Sequence, residues 1–88
     1  MWKKSKLKEI KRIRKIRDDF YKSTNYGKRR RILLSMPNVE SVTTMGGWTF
    51  RSEMTLNDGS EYFESGDFAL SKLMDVAYML WVSDILKK

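Results

Sequence analysis

Pro37, the single proline of the 88 residues, divides the chain into two kinds of hydrophobic pattern. Before it, apolar residues recur every three or four positions. From Lys3 to Lys22 they are Leu7, Ile10, Ile13, Ile16 and Phe20, a spacing that predicts an amphipathic helix whose other positions are mostly long cations. Ser23-Thr24-Asn25-Tyr26-Gly27 gathers turn-forming residues and is expected to end that helix, with Asn or Gly in the left-handed conformation. Residues 28–35 read as a second short helix, since the residue before a proline is pushed to extended backbone; a strand is the competing reading.

Beyond Pro37 the pattern turns to β. Val39 to Met45 is rich in Val and Thr, and Gly46-Gly47 suits a tight hairpin turn. A strand is expected from Trp48 to Leu56, with Trp48, Phe50, Met54 and Leu56 as core on one face and Thr49, Arg51, Glu53 and Thr55 on the other. Only Ser52 breaks this period. Asn57-Asp58-Gly59 predicts a turn and Glu61 to Glu64 a third strand, completing an antiparallel meander. Ser65 or Asp67 is expected to cap a final helix over about residues 68–86, apolar around well over half its circumference. If the sheet covers Leu70, Leu73, Ala77 and Leu80, then Phe68, Met79, Val82 and Leu86 fall on the far side, where a second copy of the chain is expected to bury them as a homodimer.

The expected fold class is therefore α+β: an N-terminal basic helix plus a short second helix, a three-stranded antiparallel meander, and a long C-terminal helix packed on the sheet. At this length residues 1–88 form a single domain. Residues 1–31 are its basic helical segment and residues 38–88 the meander plus C-terminal helix.

Charge separates along the same division. Residues 1–31 hold 14 basic and 3 acidic side chains, net +11, while residues 32–88 hold 4 basic and 8 acidic, net −4. A basic element on a neutral-to-acidic body points to a polyanionic partner, nucleic acid before membrane. The longest apolar run, Val76 to Val82, is seven residues, far short of the ~20 that span a bilayer, and no secretory signal follows Met1. The absence of Cys fits the cytoplasm, where the protein is expected to act without a membrane. With no Cys and no His, zinc sites, thiol nucleophiles and histidine-based triads are excluded; no cofactor and no enzymatic activity are expected.

The candidate nucleic-acid contacts are Lys4, Lys8, Lys11, Arg12, Arg14, Lys15 and Arg17 in the first helix and Lys28, Arg29, Arg30 and Arg31 beyond it. The last three look exposed. Arginines fork onto phosphates or base edges, lysines act as point charges, and Trp2, Tyr21 and Tyr26 are aromatic neighbours suited to stacking on unpaired bases. Asp18 and Asp19 read as intrahelical partners of Arg14, Lys15 and Lys22. The carboxylates Glu53, Asp58, Glu61, Glu64 and Asp67 lack metal-ligand spacing and read as turn and capping residues.

The order helix, three antiparallel strands, helix, with the run from Phe50 to Tyr62 and then Ser65-Gly66-Asp67 before a long apolar helix, resembles the double-stranded RNA-binding domain over roughly residues 18–86. That resemblance implies helices packed on one sheet face and recognition of duplex RNA by shape. Where the family has a lysine cluster opening the last helix, this chain has only Lys72, which moves any RNA contact to residues 3–31. In style the chain is also similar to small basic accessory proteins of tailed phages. The expected function is accordingly non-enzymatic, sequence-tolerant nucleic-acid binding, RNA before DNA. The alternative is a phage-type inhibitor or adaptor that binds a host protein or toxin, with or without RNA.

Overall fold

The computed structural model describes residues 4–45 and 51–87; the expectations placed on Trp2, on the Gly46-Gly47 turn and on Trp48 and Phe50 lie outside them. The architecture is α+β, in the order α1 (Lys4–Lys22), α2 (Tyr26–Leu34), β1 (Val39–Met45), β2 (Arg51–Leu56), β3 (Glu61–Ser65) and α3 (Ala69–Lys87). The strands form one antiparallel sheet in the order β1-β2-β3. On its covered side α2 packs on β1 and α3 on β2 and β3, while α1 packs against both α2 and α3.

The second segment is a helix, not a strand; it starts two residues earlier than the sequence suggests and ends at Leu34, with Ser35 as its C-cap. Asn25 does not close α1 in a left-handed conformation. It has extended backbone (φ −85°, ψ 121°) and caps α2, its Oδ1 accepting the Lys28 N–H at 2.9 Å. Gly27 is an ordinary residue of the first turn of α2. Neither Ser65 nor Asp67 caps α3. The chain enters that helix through Gly66, at φ +95°, whose carbonyl accepts the Ala69 N–H at 3.2 Å.

Period two fails in β1 for a local reason. Val39 pairs with Leu56 and Ser41 with Thr55, so Glu40 is the extra residue of a bulge. The bulge turns both Val39 and Val42, three positions apart, into the core. In β2, Ser52 shares the buried face with Met54 and Leu56 and is fully buried; its hydroxyl lies 3.2 Å from the Tyr26 hydroxyl, which satisfies it. The β2–β3 turn rests on Gly59 at φ +89° and on the Asp58 carboxylate, which accepts the Ser60 N–H at 2.9 Å and its hydroxyl at 2.6 Å.

The core runs from Ile13 and Phe20 of α1 through Leu33, Met36, Val42 and Met54 to Leu70, Leu73, Met74 and Ala77 of α3. Buried Asn38 joins its ends: its Nδ2 donates to the Ala77 carbonyl at 3.1 Å, and its own carbonyl accepts the Asn57 N–H at 2.9 Å. The opposite face of the sheet is open and carries Met45 and Phe63, with the Arg51 guanidinium 5.0 Å from the Phe63 ring centre.

The second neighbour wanted by α3 is α1. Trp81 Nε1 donates to Glu9 Oε1 at 3.1 Å, and the Tyr21 hydroxyl donates to Asp75 Oδ1 at 2.6 Å. Val82 is half-buried against the core and drops out of the expected self-association stripe; Phe68 (71% exposed), Met79 (67%) and Leu86 (40%) remain open to solvent. Leu80 is partly exposed as well, because α1 and the sheet approach α3 from different sides and leave its edge uncovered.

Candidate nucleic-acid interface

At about 100° per residue, Lys4, Lys8, Lys11, Lys15 and Lys22 fall within an arc of about 60° on α1, directly opposite buried Ile13. They form one row rising about 27 Å along the helix axis. All five are exposed, and none has an ion pair or hydrogen bond among the described residues. Asp18 and Asp19 flank the row without pairing to Arg14, Lys15 or Lys22, contrary to the i, i+4 expectation. Exposed acids on flexible helical side chains gain too little from such contacts to hold one geometry. The charge of the row is therefore left without an ion pair among the described residues.

Lys22 is the residue that sequence inspection left out of the candidate set. Its signal was available: it stands seven positions after Lys15 and eleven after Lys11, visible when cations rather than apolar residues are placed on the helical wheel.

The row continues onto α2. Lys28 and Arg31 project from the solvent side of that helix, opposite buried Leu33, and both side chains are exposed without an ion pair or hydrogen bond among the described residues. A cleft of about 470 Å³ lined by Asp19, Lys22, Ser23, Lys28 and Ile32 joins the end of α1 to the start of α2. It brings Lys22 and Lys28 to a shared rim. Arg14 is exposed near one edge of the row.

The other arginines are occupied. Arg12 pairs with Glu9 at 2.6 Å; its hydrogen bonds, helped by the Trp81 indole, hold the Glu9 carboxyl below the usual glutamate range. The Arg17 guanidinium lies between the Tyr21 and Tyr78 rings, 5.2 and 5.0 Å from their centres, with Asp75 at 3.5 Å. Burial, followed by the hydrogen bond to Asp75, pushes the Tyr21 phenol up, so it stays a donor. The apparent exposure of Arg29 and Arg30 in the sequence is corrected by the structure, where both are half-buried. Arg29 Nε donates to the Ser23 carbonyl at 2.6 Å and its guanidinium covers the Phe20 ring at 5.2 Å. Arg30 donates through Nε and Nη2 to the Val42 carbonyl at 3.1 and 2.7 Å. Helical spacing places these two at the sides of α2, where they reach its neighbours; Arg31, one step on, turns outward.

Comparison with protein-family models, with curated proteins and with solved structures finds no match to this chain. Among the described residues no helix is long and apolar enough to cross a membrane.

Proposed function

We propose that the protein binds nucleic acid through the lysine face of α1 and its continuation on α2, tolerant of sequence and without catalysing a reaction. The observation that carries this reading is the row of five unpaired lysines held on one side of a packed helix. An ordinary solvated helix face mixes charges and pairs some of them; this one sets five unpaired lysines in one arc and keeps its two nearby acids, Asp18 and Asp19, at the flanks. Lysine ammonium groups on flexible stems act as point charges toward phosphates and carry little geometric demand for a particular base. Release of condensed counterions supplies the binding free energy.

The test is the anisotropy of fluorescent mixed-sequence oligonucleotides at two ionic strengths. Five phosphate contacts predict an affinity loss of about 500-fold between about 50 and 200 mM salt. Binding that ignores salt, or no binding at the lower salt, refutes the proposal and leaves the open sheet face of Met45 and Phe63 to support the inhibitor or adaptor reading.

Self-association belongs to the proposal in reduced form, through Phe68, Met79 and Leu86. A two-fold contact along α3 buries one patch against itself and places two cationic rows in one particle, raising effective concentration on a long ligand. Light scattering at tens of micromolar is expected to give a dimer that Met79→Lys converts to a monomer. A monomer for the unmutated chain removes this part.

A further inference from the structure

β3 is an edge strand, and the backbone groups along its outer side meet nothing in the fold. The Leu56 N–H donates to the Ser60 carbonyl at 2.9 Å, which sets the alternation along the β2–β3 ladder. Tyr62 and Glu64, opposite Met54 and Ser52, turn their backbone groups toward β2. Glu61, Phe63 and Ser65 turn theirs outward, and none of these N–H or C=O groups has a hydrogen-bond partner among the described residues.

The other edge of the sheet is closed. By the same alternation Val42 faces outward from β1, and its carbonyl is taken by Arg30 Nε and Nη2 from α2, which packs on that strand. β3 carries none of the usual blocks: it has no proline and no lysine, and no bulge interrupts its register with β2. What it carries is acid. Asp58, Glu61, Glu64 and Asp67 give residues 58–67 four negative charges and no positive one. Lys72 meets Glu64 at 3.8 Å, while Glu61 and Asp67 are exposed with no ion pair among the described residues. Pairing β3 with a second copy of itself crowds these carboxylates together; a cationic strand relieves them. The edge also offers apolar footing, since Phe63 is exposed on the open sheet face and a hollow of about 360 Å³ lined by Arg51, Phe63, Glu64 and Ser65 lies beside it.

We propose that β3 takes an extended, lysine- or arginine-bearing segment of a partner protein as a fourth strand of the sheet. The backbone of that segment pairs with Glu61, Phe63 and Ser65. Its alternate side chains lie on the open face, an apolar one against Phe63 and a cationic one beside Glu61. The lysine row of α1 takes no part in this contact, so the proposal stands apart from the nucleic-acid reading.

The probe is the acetylated and amidated peptide Thr-Lys-Thr-Val-Thr-Lys-Thr, which places Val opposite Phe63 and Lys opposite Glu61 in either strand direction. It is expected to bind with a dissociation constant below about 1 mM at about 50 mM salt. Hydrogen exchange of the Glu61, Phe63 and Ser65 amides is expected to slow at least about tenfold at saturation. The same peptide with Glu for Lys is expected to bind at least about tenfold more weakly, because like charges then stand opposite each other. Methylating the nitrogen of its Val removes the donor to the Phe63 carbonyl and is expected to abolish binding with the protein unaltered. Phe63→Pro removes one outward donor without touching the β2 ladder and is expected to do the same. Absence of binding at about 5 mM peptide, equal affinity for the Glu peptide, or binding without slowed exchange at these three amides overturns the proposal. Slowing of the three amides with protein concentration alone gives the edge to a second copy and overturns it as well.

Discussion

Replacing Lys8, Lys11 and Lys15 together by Ala is expected to weaken binding to a mixed-sequence duplex about 500-fold at about 0.1 M salt, since three lost phosphate contacts remove about 2.7 from the slope of log affinity against log salt. The fold should not notice. All three side chains are exposed and unpaired, and Ala is the better helix former, so the unfolding temperature is expected to hold or rise slightly. Circular dichroism on the same sample separates the two effects. A variant that unfolds early would mean that the row is part of the structure, as the neighbouring arginines are.

The arginine pair of α2 should behave in the opposite way. Arg29→Ala with Arg30→Ala removes the donors to the Ser23 and Val42 carbonyls and uncovers the Phe20 ring. Charged hydrogen bonds contribute about 1.5–3 kcal/mol each; the half-exposure of both side chains brings the expected total to about 3 kcal/mol. In a domain of this size that lowers the unfolding temperature by about 10–20 °C. Binding measured below the lowered transition should keep the unmutated salt slope. Arg31→Ala, one residue further, should leave stability within about 0.5 kcal/mol and weaken binding. Equal destabilisation by all three substitutions would contradict the division of labour between inward and outward side chains.

That division is where legibility in the sequence ended. Element order, the meander and the basic helix followed from the period of apolar residues, which reports the face an element buries; tertiary packing departs from it at the β1 bulge and at Leu7 and Leu80, which are exposed. What periodicity cannot report is the destination of a long polar side chain. Arg29, Arg30 and Arg31 are chemically identical in the sequence, yet two reach carbonyls on neighbouring segments and one does not. The same holds for Asn25, read as the end of one helix and found to start the next, because an Asx side chain serves either role and only the following Lys28 N–H decides. The bulge at Glu40 was hidden for a related reason: Val39 and Val42 show helix-like spacing inside a strand, and one extra residue reconciles them. The excess apolar surface of α3 was legible, but not that α1 is a second neighbour of this helix, tied to it at Glu9 and Asp75 through contacts between residues more than 50 positions apart, while Phe68, Met79 and Leu86 stay open. Lys22 was available to the same wheel arithmetic that found the apolar stripe, applied to charge.

The central claim is that the lysines of α1, and not the half-buried Arg29 and Arg30 of α2, meet the polyanion. Its most direct test is the slope of log affinity against log salt for the unmutated protein, the Lys8/Lys11/Lys15→Ala variant and the Arg29/Arg30→Ala variant on one duplex. The account predicts a slope of about −4.5 or steeper for the unmutated chain, shallower by about 2.7 in the lysine variant and unchanged in the arginine variant. A slope that stays the same without the three lysines, or that falls with the arginine pair, would contradict it.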